Sequence, residues 1–132
     1  MKRFVACWLA IALPFLALDA VWLTLMAQRL YRPALGSIMR PDFDLPAAGA
    51  FYLLYFTGVL VFAVRAAAST REALWRGALF GLVAYGTYDL TNQATLVGWP
   101  WHITFADLAW GTFATAVAAA IAQRITSRSS RR

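Results

Sequence analysis

Charge is scarce in this chain, and side chains that carry metal or nucleophile chemistry are scarcer. Charged residues make up 14% of the sequence, against about a quarter in an ordinary soluble domain. The single histidine, His102, leaves no His-rich cluster of the kind that holds iron or zinc. The single cysteine, Cys7, excludes a disulfide framework and reads as a small apolar filler. No nucleophile motif occurs, so independent catalysis is the less favoured reading.

Apolar residues fill the space: 61% of the 132 residues are hydrophobic and 15% are aromatic. A span needs roughly 20 apolar residues. The chain is therefore expected to form one integral membrane domain, an all-α bundle of four transmembrane helices. The expected spans are Phe4 to Met26, Pro46 to Val64, Gly77 to Val97 and Ile103 to Ala122. Gly98-Trp99-Pro100-Trp101-His102 reads as a tight hairpin turn whose two indoles anchor a membrane–water interface. Lys2-Arg3 before an apolar run resembles a secretory signal, but Trp8, Trp22 and the length of the run predict that this helix is retained.

Basic residues orient the bundle. Lys2, Arg3, Arg65, Arg71, Arg76, Arg124, Arg128, Arg131 and Arg132 fall on one side, and Arg29, Arg32 and Arg40 on the other, which predicts both termini in the cytoplasm. The net charge of +6 then reads as a topology signal with contact to anionic lipid. The expected partner is the bilayer, and no nucleic acid is expected.

Against this background Asp19, Asp89 and Asp107 stand out, one on each of three predicted spans. A carboxylate near the middle of a span costs about 2.5–3.5 kcal/mol on the translocon scale, so three in one short chain suggest a shared polar site. By helical rise they lie roughly 10, 12 and 6 Å below the outer ends of their helices. The third helix adds a polar stripe of Tyr85, Tyr88, Asn92 and Thr95, with Thr91 and Gln93 beside it. An outer pocket lined by the aspartates, Asn92, Tyr88, Trp22 and Trp110 is expected, with Pro14 providing a bend that helps open it. The aspartates are candidate metal ligands or proton-exchanging groups, because three neighbouring carboxylates require a cation or a retained proton. The structural alternative is that they pair with Arg29, Arg32 or His102, or with tyrosines and Asn92, and only fix helix register. Asp42 and Asp44 read as turn residues.

Small residues at the other ends, Gly77 and Gly81 on the third helix and Gly111, Ala114, Ala118 and Ala122 on the fourth, predict close backbone packing there. A small-residue face also admits a homodimer. Asp19-Ala20-Val21-Trp22-Leu23-Thr24 and Asp107-Leu108-Ala109-Trp110-Gly111-Thr112 share the form D-x-x-W-x-T, a short echo between two helices of opposite sense.

The segments Leu18-Asp19-Ala20-Val21-Trp22-Leu23, Tyr88-Asp89-Leu90-Thr91-Asn92-Gln93-Ala94-Thr95-Leu96, Gly98-Trp99-Pro100 and Asp107-Leu108-Ala109-Trp110-Gly111-Thr112 resemble an uncharacterised family of small bacterial inner-membrane proteins with four predicted spans. The resemblance implies the fold and the bacterial inner membrane, and supplies neither activity nor cofactor. Two function classes follow. In one, the pocket binds a cation or a small polar or cationic ligand, with proton-coupled transport as its fullest form. In the other, implied by the resemblance, the protein is an enzyme or accessory subunit in fatty-acyl lipid modification.

Overall fold

The computed structural model describes Lys2–Ser129, with side chains described for residues 3–127. Arg131 and Arg132, counted in the basic asymmetry, lie outside the described residues, as do the side chains of Lys2 and Arg128. Four helical rods, with no strand among the described residues, form a bundle.

The first rod, α1, is α-helical over Lys2–Met26, π-helical over Ala27–Tyr31 and α-helical again over Arg32–Leu35. The α-helix passes through Pro14 and ends at the expected Met26. The rod then goes on into a stretch that reads as loop in the sequence. The Arg32 N–H closes the π segment on the carbonyl of Ala27, and Pro33 is tolerated because it stands in the first turn of Arg32–Leu35. One extra residue per turn rotates the following face by about 100°, which bears on Tyr31 below.

The second rod, α2, spans Leu45–Gly58 and continues as a π segment over Val59–Val64. Asp44, expected in a turn, caps it: its carboxylate accepts from the Ala47 N–H at 3.1 Å, with Pro46 in the first turn. The third rod, α3, spans Thr70–Thr95. It opens with a reciprocal capping box, in which Ser69 accepts from the Glu72 N–H at 3.1 Å and Glu72 accepts from the Ala68 N–H at 2.8 Å. The fourth, α4, spans Trp101–Ser129. Gly98, at φ 83°, makes the reversal between α3 and α4, a left-handed conformation that a side chain would strain. Trp101 and His102 are thus already helical.

Arg3–Leu35, Leu45–Val64 and Trp101–Ser127 are long and apolar enough to cross a membrane. With 26 residues α3 has the length, but it falls short in composition because of its polar stripe. Leu13, Leu54, Phe62, Leu79 and Phe105 lie on the outside of the bundle, a distribution that suits lipid.

Two antiparallel rods, α3 and α4, form the tightest pair. A Cβ at Gly81 would stand 2.2 Å from the carbonyl oxygen of Gly111, and one at Gly77 would stand 2.7 Å from the Ala119 Cβ. Ala114, Ala118 and Ala122 are fully buried, as the small-residue pattern predicts. These faces are therefore filled within the chain rather than offered to a second copy. Around them Ile11 and Phe15 of α1 and Phe56, Val59 and Leu60 of α2 complete one apolar cluster. Burial of a phenylalanine from water yields about 1.5–3 kcal/mol. Against lipid that transfer gain is largely absent, so close packing and hydrogen bonds carry the bundle.

Packing is uneven along the axis. The π segment Val59–Val64 of α2 packs along α3, whereas Leu45–Gly58 meets it chiefly through Tyr55, whose ring lies against Phe80 and Tyr85. Small-residue contacts thus gather along α3 and α4, while clefts open both near the α3–α4 turn and between the termini-side ends of α1, α2 and α4. At that turn Trp99, expected as an interface anchor, is buried instead, 7% exposed and packed with Leu35 and Ile103. The continuation of α1 to Leu35 covers it. Trp101 stays exposed and stacks on Phe105.

Candidate functional site

All three aspartates are buried: Asp19 and Asp107 are each 8% exposed and Asp89 is 0% exposed. Their surroundings differ. Asp19 on α1 sits in a cage of donors, accepting from the Tyr52 hydroxyl at 2.7 Å and from the Trp110 Nε1–H at 3.1 Å. Asp107 on α4 accepts from the Tyr31 hydroxyl, which itself accepts from the Trp22 Nε1–H at 2.9 Å. Of the partners named by the structural alternative, tyrosines hold both aspartates, and Arg29, Arg32 and His102 hold neither.

Trp22 and Trp110 stack face to face, with centroids 4.6 Å apart and planes inclined by 8°. The repeated D-x-x-W-x-T element explains how this arises. On antiparallel helices, equal spacing brings each tryptophan level with the other element's aspartate. Trp110 reaches Asp19 directly, and Trp22 reaches Asp107 through Tyr31. The two threonines also act alike: Thr24 donates to the Ala20 carbonyl at 2.7 Å and Thr112 to the Leu108 carbonyl at 2.6 Å.

Asp89 on α3 has no such support. Neither of its carboxyl oxygens has a hydrogen-bond partner among the described residues. The charged group that bears on it is Asp107, across the α3–α4 contact. A buried carboxyl costs several kcal/mol when uncompensated, and a second one beside it adds repulsion unless a proton or a cation joins the pair.

The three carboxylates do not surround one point. Among the described residues no three His, Cys, Asp or Glu side chains gather closely enough to hold a metal ion. The expected three-aspartate ligand set is thus not gathered as a metal site among these residues. Asp19 has its oxygens committed to Tyr52 and Trp110, while Asp89 and Asp107 form a pair of their own.

Beside that pair lies a cleft of about 420 Å³, lined by Phe51, Tyr55, Ala84, Tyr85, Tyr88 and Asp107. It lies between Leu45–Gly58 of α2 and α3, beside the Tyr55–Tyr85 contact. Tyr88, expected near the aspartates, forms part of this wall but is 58% exposed and meets Trp99 edge-on at 5.7 Å. Asn92 is half-buried one turn further on. Trp22 and Trp110, expected to line the pocket, instead back the aspartates through their stack. Beyond them, Gln93 joins the turn by donating to the Trp99 carbonyl at 2.9 Å and accepting from the Thr104 hydroxyl at 3.1 Å.

Tyr31 and Tyr52 are the partners that sequence reasoning missed. Tyr31 follows Arg29 in a stretch that reads as loop, and only the π segment turns it towards α4. Tyr52 carried a usable signal as one of three hydroxyls, with Tyr55 and Thr57, on the apolar second span.

A family model described as predicted membrane protein (DUF2177) matches residues 4–123. No curated protein and no solved structure matches the chain.

Proposed function

We propose, for a chain that belongs to the DUF2177 family of predicted membrane proteins, that the Asp89–Asp107 pair binds a small monovalent cation, inorganic or ammonium, in exchange for a proton. The observation that carries this reading is Asp89: fully buried, with both carboxyl oxygens unpartnered and another carboxyl against it. Inside a membrane so costly a group is most often functional.

Exchange at the pair conserves charge. With one proton shared, the two carboxyls carry one negative charge, and a monovalent cation that replaces the proton leaves that charge unchanged. Tyr31 holds Oδ1 of Asp107, so the cation is met by the other oxygen of Asp107 and the two of Asp89. The displaced proton leaves through the cleft along Tyr85 and Tyr88. Asp19 does not take part, because Tyr52 and Trp110 already satisfy it. Its role is to hold the tryptophan stack that backs the pair.

The reading places the protein in the bacterial inner membrane with both termini in the cytoplasm, supported by the nine-to-three basic asymmetry. The cleft then opens in the outer half. Transport by alternating exposure of the pair is its extension.

The test uses purified protein in detergent at weak buffering, with a pH-indicator dye. Sodium, potassium and methylammonium chlorides are added in turn. One of them should release about one proton per chain, the stoichiometry of exchange at a single coupled pair. Asp89→Asn should abolish the release while leaving the protein folded. Silence from every cation with the unaltered protein, or undiminished release from the variant, removes the exchange reading.

A further inference from the structure

A second cavity lies at the opposite end of the bundle and shares no residue with the aspartate site. It has a volume of about 440 Å³ and opens between the termini-side ends of α1, α2 and α4. Phe4 and Cys7 of α1, Leu60 and Val64 of α2 and Ile125 of α4 make its apolar walls, and Arg3 and Arg65 stand at its rim. Its size falls within the range of small-molecule and lipid sites, roughly 300–1,000 Å³.

No described carboxylate compensates the charges at the rim. Among the described residues the ion pairs are Arg40–Asp44 and Arg76–Glu72, and neither Arg3 nor Arg65 has a carboxylate within ion-pair distance. The acid placed just after the α2–α3 loop, Glu72, is already engaged by Arg76 at 2.8 Å and by the Ala68 N–H. Gln123, also on the wall, donates its amide to the Ala67 carbonyl at 2.9 Å, which ties α4 to the α2–α3 loop and fixes that side of the opening.

Two guanidiniums above an apolar cavity, at the level where a helix bundle meets headgroups, match one chemistry. A phosphodiester offers anionic oxygens to the planar N–H donors, and its acyl chain offers apolar volume to the cavity. A soluble anion would satisfy the arginines but leave the apolar walls bare, and a neutral lipid would do the reverse.

We propose that this cavity holds one anionic phospholipid, its phosphate between Arg3 and Arg65 and one acyl chain among Phe4, Cys7, Leu60 and Val64. The lipid fills the opening between the termini-side ends of α1, α2 and α4. It therefore acts as a structural ligand of the bundle's termini-side end.

Native mass spectrometry tests this. The protein is released from nanodiscs containing equal amounts of phosphatidylglycerol and phosphatidylcholine. The unaltered chain should retain one phosphatidylglycerol, in preference to phosphatidylcholine by about tenfold or more, given the attraction of two arginines. The double variant Arg3→Ala, Arg65→Ala should lose the preference, whereas Arg40→Ala, at the other end, should keep it. Equal retention of the two lipids by the unaltered protein overturns the proposal even if the double variant fails to fold. So does an unchanged preference in the double variant. Displacement of the lipid by excess inorganic phosphate would assign the rim to a soluble anion and overturn it as well.

Discussion

Trp110 on α4 donates its indole proton to Asp19 on α1, the aspartate of the other D-x-x-W-x-T element. Together with the Trp22–Trp110 stack, this bond joins the first and last helices. Trp110→Phe keeps an aromatic ring but removes the donor. In a double-mutant cycle with Asp19→Asn, followed by SDS unfolding, the pair should show a coupling of about 0.6–1.7 kcal/mol, the range of side-chain hydrogen bonds inside membranes. Strict additivity would mean that the bond contributes nothing.

The α3–α4 contact predicts a sharp contrast between glycines. At Gly81 a methyl group would meet the Gly111 carbonyl oxygen at 2.2 Å and the Thr115 hydroxyl at 2.6 Å, while at Gly49 nothing lies within 4 Å. Gly81→Ala should destabilise the protein by about 1–3 kcal/mol through overpacking. Gly49→Ala, in open space inside a helix, should melt like the parent or slightly higher. Equal melting of both variants would refute the tight contact.

Asp89 and Asp107 should respond differently to the same change. Asp89→Asn removes the carboxyl that repels Asp107 and that no tyrosine, tryptophan or backbone donor supports, so thermal stability should hold or rise. Asp107→Asn weakens the acceptor of the Tyr31 hydroxyl and should cost roughly 1–3 kcal/mol. Reversal of that order would show that Asp89 is structural and Asp107 is not.

Topology is testable with single cysteines in a Cys7→Ala background. A membrane-impermeant maleimide added from outside should label Ser37→Cys and spare Ser127→Cys, as the distribution of arginines requires. Labelling of Ser127→Cys from outside would invert the bundle.

At the head of α3, outside the apolar spans, the Ala68 N–H and the Arg76 guanidinium hold the Glu72 carboxyl below its ordinary value of 4.5. A depressed folded value means stability that is present above 4.5 and lost as the pH falls through the folded value. Glu72→Gln should therefore lower the melting temperature at neutral pH, and the gap should close in acid. A gap independent of pH would assign the effect to the loss of shape rather than charge.

Much of this arrangement is legible in the residues. The aspartates announce themselves by interrupting apolar runs, and Gly77, Gly81 and Gly111 mark the tight contact by their spacing. What spacing cannot show is the π segment at Ala27–Tyr31, because helical periodicity assumes 3.6 residues per turn. Tyr31 and the burial of Trp99 both depend on that segment. Nor does composition reveal which carboxylates are satisfied. Asp19 and Asp89 look equivalent in sequence, yet one has two donors and the other has none.

The polar stripe of α3 has a consequence for how the protein is made. A segment that falls short of the apolarity needed to enter a bilayer alone gains little by partitioning before its neighbour exists. Its Gly77 and Gly81 face, and Asp89 above them, become shielded only when α4 lies alongside. Gly98 and the short turn keep the two segments close from the moment α4 leaves the ribosome. Insertion of α3 is therefore expected to wait for α4, with the pair entering as a hairpin. A nascent chain stalled before Trp101 should leave α3 accessible to water.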